Sequence, residues 1–264
     1  MNTPHGADVY RRFKRILYGE QDSLVTALEG AVLRNVPALQ RGRVRLCDIG
    51  GGDGDRIARI VKLLHDRYQN SYDLNFVEQS HLYVHDFARR ATPSYLDAHI
   101  HCGRFEDISL PAGVHDAVFV IHSIFAFGDD AAIEKVLRLV CPGGCAIVVS
   151  NAADSFLAGL KRLIDAGFSD ARYEITNLVT ALQERAEQFA PFSLETIWEI
   201  RRERWAADVA IILDWISLGR YASLSADTKQ EIDAYLHDMS KPTSTGRRFT
   251  ETEIVLVVPP VEFS

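Results

Sequence analysis

No apolar run in this sequence comes near the roughly 20 residues a helix needs to cross a bilayer. The first fifteen residues, MNTPHGADVYRRFKR, hold no apolar stretch of the kind a secretory signal requires. Both absences predict a cytoplasmic protein with no membrane partner. Positive charge is short as well: 29 Lys and Arg stand against 36 Asp and Glu, a net charge of −7. That balance argues against a nucleic-acid partner. The basic clusters at 11–15 and 201–204 have acidic neighbours and read as solvated faces. Cysteine is scarce, and Cys47, Cys102, Cys141 and Cys145 form no C-x-x-C pair. They are expected to be buried free thiols in a reducing compartment. The pairs His81/His85 and His99/His101 lack a nearby third ligand, so no metal site is expected.

What is present is a β/α rhythm. Residues 8–35 read as helix with a break at Tyr18-Gly19, and Asp22 or Ser23 can cap the resumption. Then come strand 44–49, helix 57–68, strand 73–77, helix 82–90, strand 98–102, strand 115–121, helix 131–140 and strand 145–150. Pro142-Gly143-Gly144 is expected to stop the last of these helices. Such alternation predicts a parallel sheet with helices on both faces. After residue 151 the spacing predicts helices at 156–166, 173–189, 205–218 and 226–239, strands at 192–200 and 249–258, and a polar loop at 241–246. The domain expectation is an N-terminal helical cap over 1–40, then a ligand-binding domain over 41–264 carrying a helical insertion at about 154–245.

The chemistry concentrates in Leu46 to Gly54, LCDIGGGDG. Asp48, Gly50, Gly51 and Gly52 follow a strand and precede a helix. Glycines let the backbone turn sharply and approach a ligand, and a helix N-terminus offers N–H groups to a carboxylate. Asp48 can accept from an ammonium. A ligand with an amino-acid end suits this loop. The dinucleotide pattern G-x-G-x-x-G would put Asp55 at its third glycine, where a pyrophosphate must approach. Glu78, in VEQS with Gln79, closes the second strand and can hold both hydroxyls of a ribose. In the turn after the third strand, Phe105 can stack on an adenine and Glu106 or Asp107 can accept from its amino group; Phe105 can equally be core. Ile121 and His122 end the fourth strand.

Loop, ribose acid, FED turn, HDAVFVIHS strand and LVCPGG turn occur in an order that resembles the class I S-adenosylmethionine (SAM)-dependent methyltransferases. That resemblance covers residues 44–150. It implies a Rossmann-like seven-stranded mixed sheet of order 3-2-1-4-5-7-6, a SAM cofactor leaving as S-adenosyl-L-homocysteine, and Ile121 beside the sulfonium. A narrower resemblance, carried by FKRILYGEQDSL, IGGGDG, VEQS, the run from Val120 to Ser155 and RRFTETEIVLVV, is to the histamine N-methyltransferase family. It implies a small-molecule amine substrate held by Asp22, His122, Phe13, Phe125 and Glu251. That family has amides where this chain has His122 and Glu251, which implies a more charged pocket. His122 is the expected catalytic residue, because an imidazole near neutrality can take a proton from an ammonium. O- or C-methylation in a natural-product pathway, and SAM binding without transfer, are the rival expectations. A monomer or a homodimer is expected; the late helices can cap the site or mediate dimerisation.

Overall fold

The computed structural model describes residues 4–19, 22–90, 92–124, 127, 130–166 and 191–259. The helix expected over 173–189 and the candidate Phe125 lie outside them. Strands β1 (Arg43–Ile49), β2 (Ser71–Glu78), β3 (Leu96–Cys102), β4 (His115–Ile121) and β5 (Val140–Asn151) are joined by helices α3 (Asp55–Tyr68), α4 (His81–Ala88) and α5 (Asp130–Leu139). β1 pairs in parallel with β2 and β4, β2 with β3, and β4 with β5. Parallel pairing follows from the crossovers, since a helix between two strands returns the chain in the same direction. β4 is buried along nearly its whole length, as its continuous apolar run requires.

The described residues fall into two compact units. One, the sheet unit, holds α2 (Ser23–Ala31) from Val25, the elements from β1 to β5 as far as Ser150, and the end of β8 (Gly246–Val258) from Ile254. The other, the aromatic unit, holds α1 (Pro4–Tyr18), α6 (Phe156–Asp165), β6 (Phe192–Arg201), α7 (Trp205–Ile216), α8 (Ala226–Asp238), β7 (Ser240–Pro242) and β8 up to Glu253. Of the residues expected to form a cap over 1–40, those up to Leu24 group with the late elements and those from Val25 with the sheet. The hydrogen-bonding order of the strands is β3-β2-β1-β4-β5-β8-β6, with β7 pairing to β8. Counting the long strands alone, this is the expected order 3-2-1-4-5-7-6.

Two local expectations change. Pro142-Gly143-Gly144 lies within β5, which begins at Val140 directly after α5. An irregularity in the β4–β5 register between His115 and Ala117 absorbs the extra residues. The loop expected at 241–246 is the turn of a hairpin: Ser240 pairs with Phe249, Lys241 with Arg248 and Pro242 with Arg247. The Thr243 hydroxyl donates to Glu199 Oε1 (3.0 Å) and accepts from Gly246 N (2.9 Å), which closes the turn with side chains instead of the usual Asn-Gly.

Each unit has its own core. The sheet unit buries Val118, Val120, Val148, Leu256 and Val258 with apolar residues of α5. In the aromatic unit, Trp198 stacks on Phe249 at 4.3 Å between centroids, and Phe156 packs against Trp198, Phe249 and Tyr235. A second cluster in the same unit sets Tyr10 and Phe13 of α1 against Trp215 of α7. Among the described residues, no helix is long and apolar enough to cross a membrane.

Candidate active site

The C-terminal ends of β1, β2, β3 and β4 all emerge on one edge of a parallel array, where α/β sheets bind ligands. The glycine loop follows β1. Gly50 N and Gly51 N both donate to Val77 O, at 2.8 and 3.3 Å, so the loop folds back over the end of β2. Gly50 has φ +69°, a left-handed conformation, and a Cβ there would overlap the Ser123 side chain. At Gly51 a Cβ would run into the Phe76 ring and come within 2.5 Å of Asp48 Oδ2. The loop is thus pressed onto a carboxylate below it.

Glu78 ends β2 and is only 7% exposed. Its Oε2 accepts from Gly52 N at 2.9 Å and its Oε1 from Ser80 N at 2.8 Å. Burial raises its pKa above the usual carboxylate range, against the pull of the Ser80, Gly52 and Gln79 amides. With three amides on its two oxygens, one lone pair remains for a hydroxyl donor. Asp48 is 4% exposed. Burial and the nearby Glu78 push its pKa up to about 7, with Arg56 pulling the other way. Gln79 is exposed beside Glu78.

The turn after β3 is a single 3₁₀ turn, Phe105–Asp107. Phe105 is buried in the sheet unit's core, with its ring stacked 5.7 Å from Phe127. The expected adenine-stacking role is therefore corrected: the ring points into packing, and the turn offers Glu106 and Asp107 instead. Arg104 reaches Glu106 Oε1 at 3.4 Å. Ile121 closes β4 and is partly exposed.

His122 follows at once, with φ +55°. A non-glycine residue in this region is uncommon, though histidine is among the residues enriched there, and it costs free energy that the surroundings must sustain. Here two neighbours sustain it. His122 N donates to Val149 O at 2.9 Å, and Ser123 Oγ donates to Ile49 O at 2.6 Å. Ser123 is also the residue against which Gly50 packs. His122 is therefore pinned to the root of the glycine loop, and its side chain is half-buried. Ser80 and Ser123 belong to this site through single hydrogen bonds, a role that no spacing in the sequence announces.

Phe13, Asp22 and Glu251 lie in the aromatic unit. Phe13 is buried against Trp215. Asp22, buried, takes φ +50° in the break between α1 and α2. Glu251 is fully buried on β8, where an exposed strand acid would be the simpler reading. Its Oε1 accepts from Asn151 Nδ2 at 2.8 Å and its Oε2 from Leu157 N at 2.9 Å. Burial and the neighbouring Glu253 push its pKa up to about 8. Among the cysteines, Cys47, Cys141 and Cys145 are buried but Cys102 is exposed, 3.2 Å from His81 Nδ1, so the expectation of four buried thiols is corrected.

No family model matches this sequence, and no curated protein does either. Solved structures do share its fold. The YcgJ protein from Bacillus subtilis aligns over 89% of this chain and 98% of its own, at 18% identity and a TM-score of 0.58. The [4+2]-cyclase SpnF aligns over 91% and 82%, at 17% identity and a TM-score of 0.53. Geranyl diphosphate methyltransferase in complex with SAM aligns over 89% and 85%, at 13% identity and a TM-score of 0.50. The architecture of this chain is the Rossmann-like methyltransferase fold.

Proposed function

We propose that this chain is a SAM-dependent methyltransferase and that its acceptor is a small-molecule amine. The observation that carries the cofactor assignment is the pair of buried carboxyl groups, Asp48 and Glu78, under and beside a glycine loop at the ends of adjacent parallel strands. Buried carboxylates repel a pyrophosphate and attract an ammonium and hydroxyl donors. A ligand joining an amino-acid end to a ribose satisfies both; a dinucleotide offers the ribose hydroxyls but brings a pyrophosphate, and no ammonium, to Asp48.

In this reading Asp48 receives the ligand's ammonium, Glu78 a ribose hydroxyl, and Glu106 or Asp107 its adenine amino group. Gly50 and Gly52 shape the loop, and Gln79 and Ile121 flank the bound molecule. SAM, when bound, supplies a sulfonium methyl already activated for displacement by a lone pair. What the protein adds is mainly positioning, together with removal of a proton from the incoming amine. His122 takes that proton. Its fixed backbone holds the imidazole without a search through rotamers of a mobile loop. Asp22, Phe13 and Glu251 are the residues that the family resemblance puts forward for the acceptor. Glu251 holds its proton at neutral pH, so it acts as a neutral donor and acceptor, as an amide does.

Calorimetric titration with SAM and with NADH tests the cofactor. SAM is expected to bind in the micromolar range and NADH to give no heat; the reverse pattern overturns the reading. Tritiated SAM offered with panels of amines, phenols and indoles tests the acceptor, and labelling of phenols or indoles alone would replace N-methylation by O- or C-methylation. A second reading is favoured by one finding: a structure that shares this fold is a [4+2]-cyclase. SAM binding with no label transferred to any panel supports that alternative, a SAM-binding protein without transferase activity.

A further inference from the structure

Lys135, on α5, has no role in the proposed site, yet its ammonium makes three polar contacts to the turn after β3. Its Nζ lies 2.6 Å from Phe105 O, 2.9 Å from Glu106 O and 2.6 Å from Ile108 O. An ammonium has three N–H donors and no acceptor, so three carbonyls account for all of them. The same nitrogen sits 4.7 Å from the centroid of the Phe105 ring. Bonds from a charged donor are about twice as strong as neutral ones, and three from one ammonium converge on four residues of chain. The turn's own hydrogen bonds are few: Asp107 N to Arg104 O and Ile108 N to Phe105 O. A single 3₁₀ turn between a strand end and a loop has little rigidity of its own. Lys135 supplies it from a helix.

We infer that Lys135 is a positioning residue for the cofactor: it clamps the turn bearing Glu106 and Asp107 so that these acids meet the adenine without an ordering cost on binding. This rests on the proposed SAM site. Pre-organisation of this kind shows as affinity, because a ligand that must first order a loop loses that free energy. The effect should be confined to the adenosine end of the ligand.

The test is Lys135→Met, which keeps the length of the side chain and removes the donors. Calorimetry with SAM and with 5′-methylthioadenosine is expected to show Kd rising by roughly tenfold or more for both ligands, by the same factor. A general loosening of the site would weaken SAM more than the fragment, and that outcome overturns the inference. Hydrogen exchange supplies an arm independent of any ligand: residues 105–108 should lose protection in Lys135→Met while β1 and β2 keep theirs. Unchanged protection there overturns the clamp even if SAM binds the wild type well. Wild-type protein that binds no SAM, with a turn that does loosen in the variant, removes the cofactor assignment and with it the cofactor role, leaving the clamp as a structural contact.

Discussion

Each unit of this molecule buries a pair of acids, and the two pairs are built differently. In the sheet unit, Asp48 and Glu78 come from neighbouring parallel strands. Glu78 is gripped by loop amides at the end of its strand. In the aromatic unit, Glu251 and Glu253 come from one strand, two residues apart, so they share a face. Both are fully buried. Asn151 Nδ2 donates to Glu251, and the Tyr18 hydroxyl donates to Glu253 at 3.0 Å. Asp48 and Glu251 are both driven toward the protonated form, each by burial first and by its partner acid second. The same shift serves different ends. A carboxyl group poised near neutrality beside a glycine loop can be recharged by a cationic ligand. One inside a strand, with its oxygens already taken by protein amides, behaves as a neutral hydrogen-bonding residue.

The comparison breaks most visibly at Glu251. Its folded-state pKa lies above its unfolded value, so its contribution to stability is present below about pH 4.5 and is lost as pH rises through about 8. The slope is at most about 1.4 kcal/mol per pH unit. Asp48 acts in the same direction and is still titrating from pH 7 to 8, so Glu251 is read as the difference in slope between the wild type and a Glu251 variant, in which the Asp48 contribution is common to both. Urea unfolding of Glu251→Gln across that interval should show the decline of the wild type flattened, whatever the variant's absolute stability. The same variant should keep kcat/KM within a few-fold, because an amide replaces a neutral acid. Parallel slopes for wild type and variant would mean that the aromatic unit's acids are ordinary carboxylates.

These acids also mark what was legible. The sheet unit could be read because its signals are local: Asp48, the glycines and Glu78 each stand at a fixed place relative to a strand end. The rhythm gave parallel pairing; the order of the sheet came from the resemblance to class I methyltransferases. The aromatic unit is assembled from α1, residues after 151 and most of β8, so its contacts join positions far apart in the chain. Tyr18 and Glu253 are 235 residues apart. Nothing local in RRFTETEIVLVV tells a buried Glu251 from an exposed one, because strand alternation gives the face but not what covers it. Phe105 was open for the opposite reason: its local setting fitted both an adenine face and the core, and the ring turns inward to Phe127.

Asp48 carries the next largest effect. If it pairs with the ligand's ammonium, SAM binds the ionised form, and affinity rises with pH through about 7. Between pH 6 and 7.5 the ionised fraction grows by a factor of about eight, before the α-ammonium of the ligand itself begins to titrate near 8. Calorimetric Kd should fall by nearly that factor. Asp48→Asn should bind more weakly and show a flat profile. A wild-type Kd independent of pH over this interval would detach Asp48 from the ligand and make its pair as inward-facing as the one on β8.

The smallest expected change in stability, and the sharpest separation of stability from function, is at His122. Its φ of +55° costs roughly 1–2 kcal/mol for a residue with a Cβ. Glycine removes that cost but adds about 0.5–1 kcal/mol of unfolded-chain entropy. His122→Gly should therefore unfold within about 1 kcal/mol of the wild type, with the Val149 hydrogen bond intact because it uses the backbone N–H. Removal of a proton acceptor lowers turnover by about 10²- to 10⁴-fold. SAM affinity should change little, because Asp48 and Glu78 are untouched. A strained residue that can be relaxed without loss of stability, at the cost of turnover alone, is held in that conformation for chemistry. Full kcat/KM in His122→Gly from pH 6 to 9 would instead make the left-handed turn a consequence of packing Ser123 against Gly50.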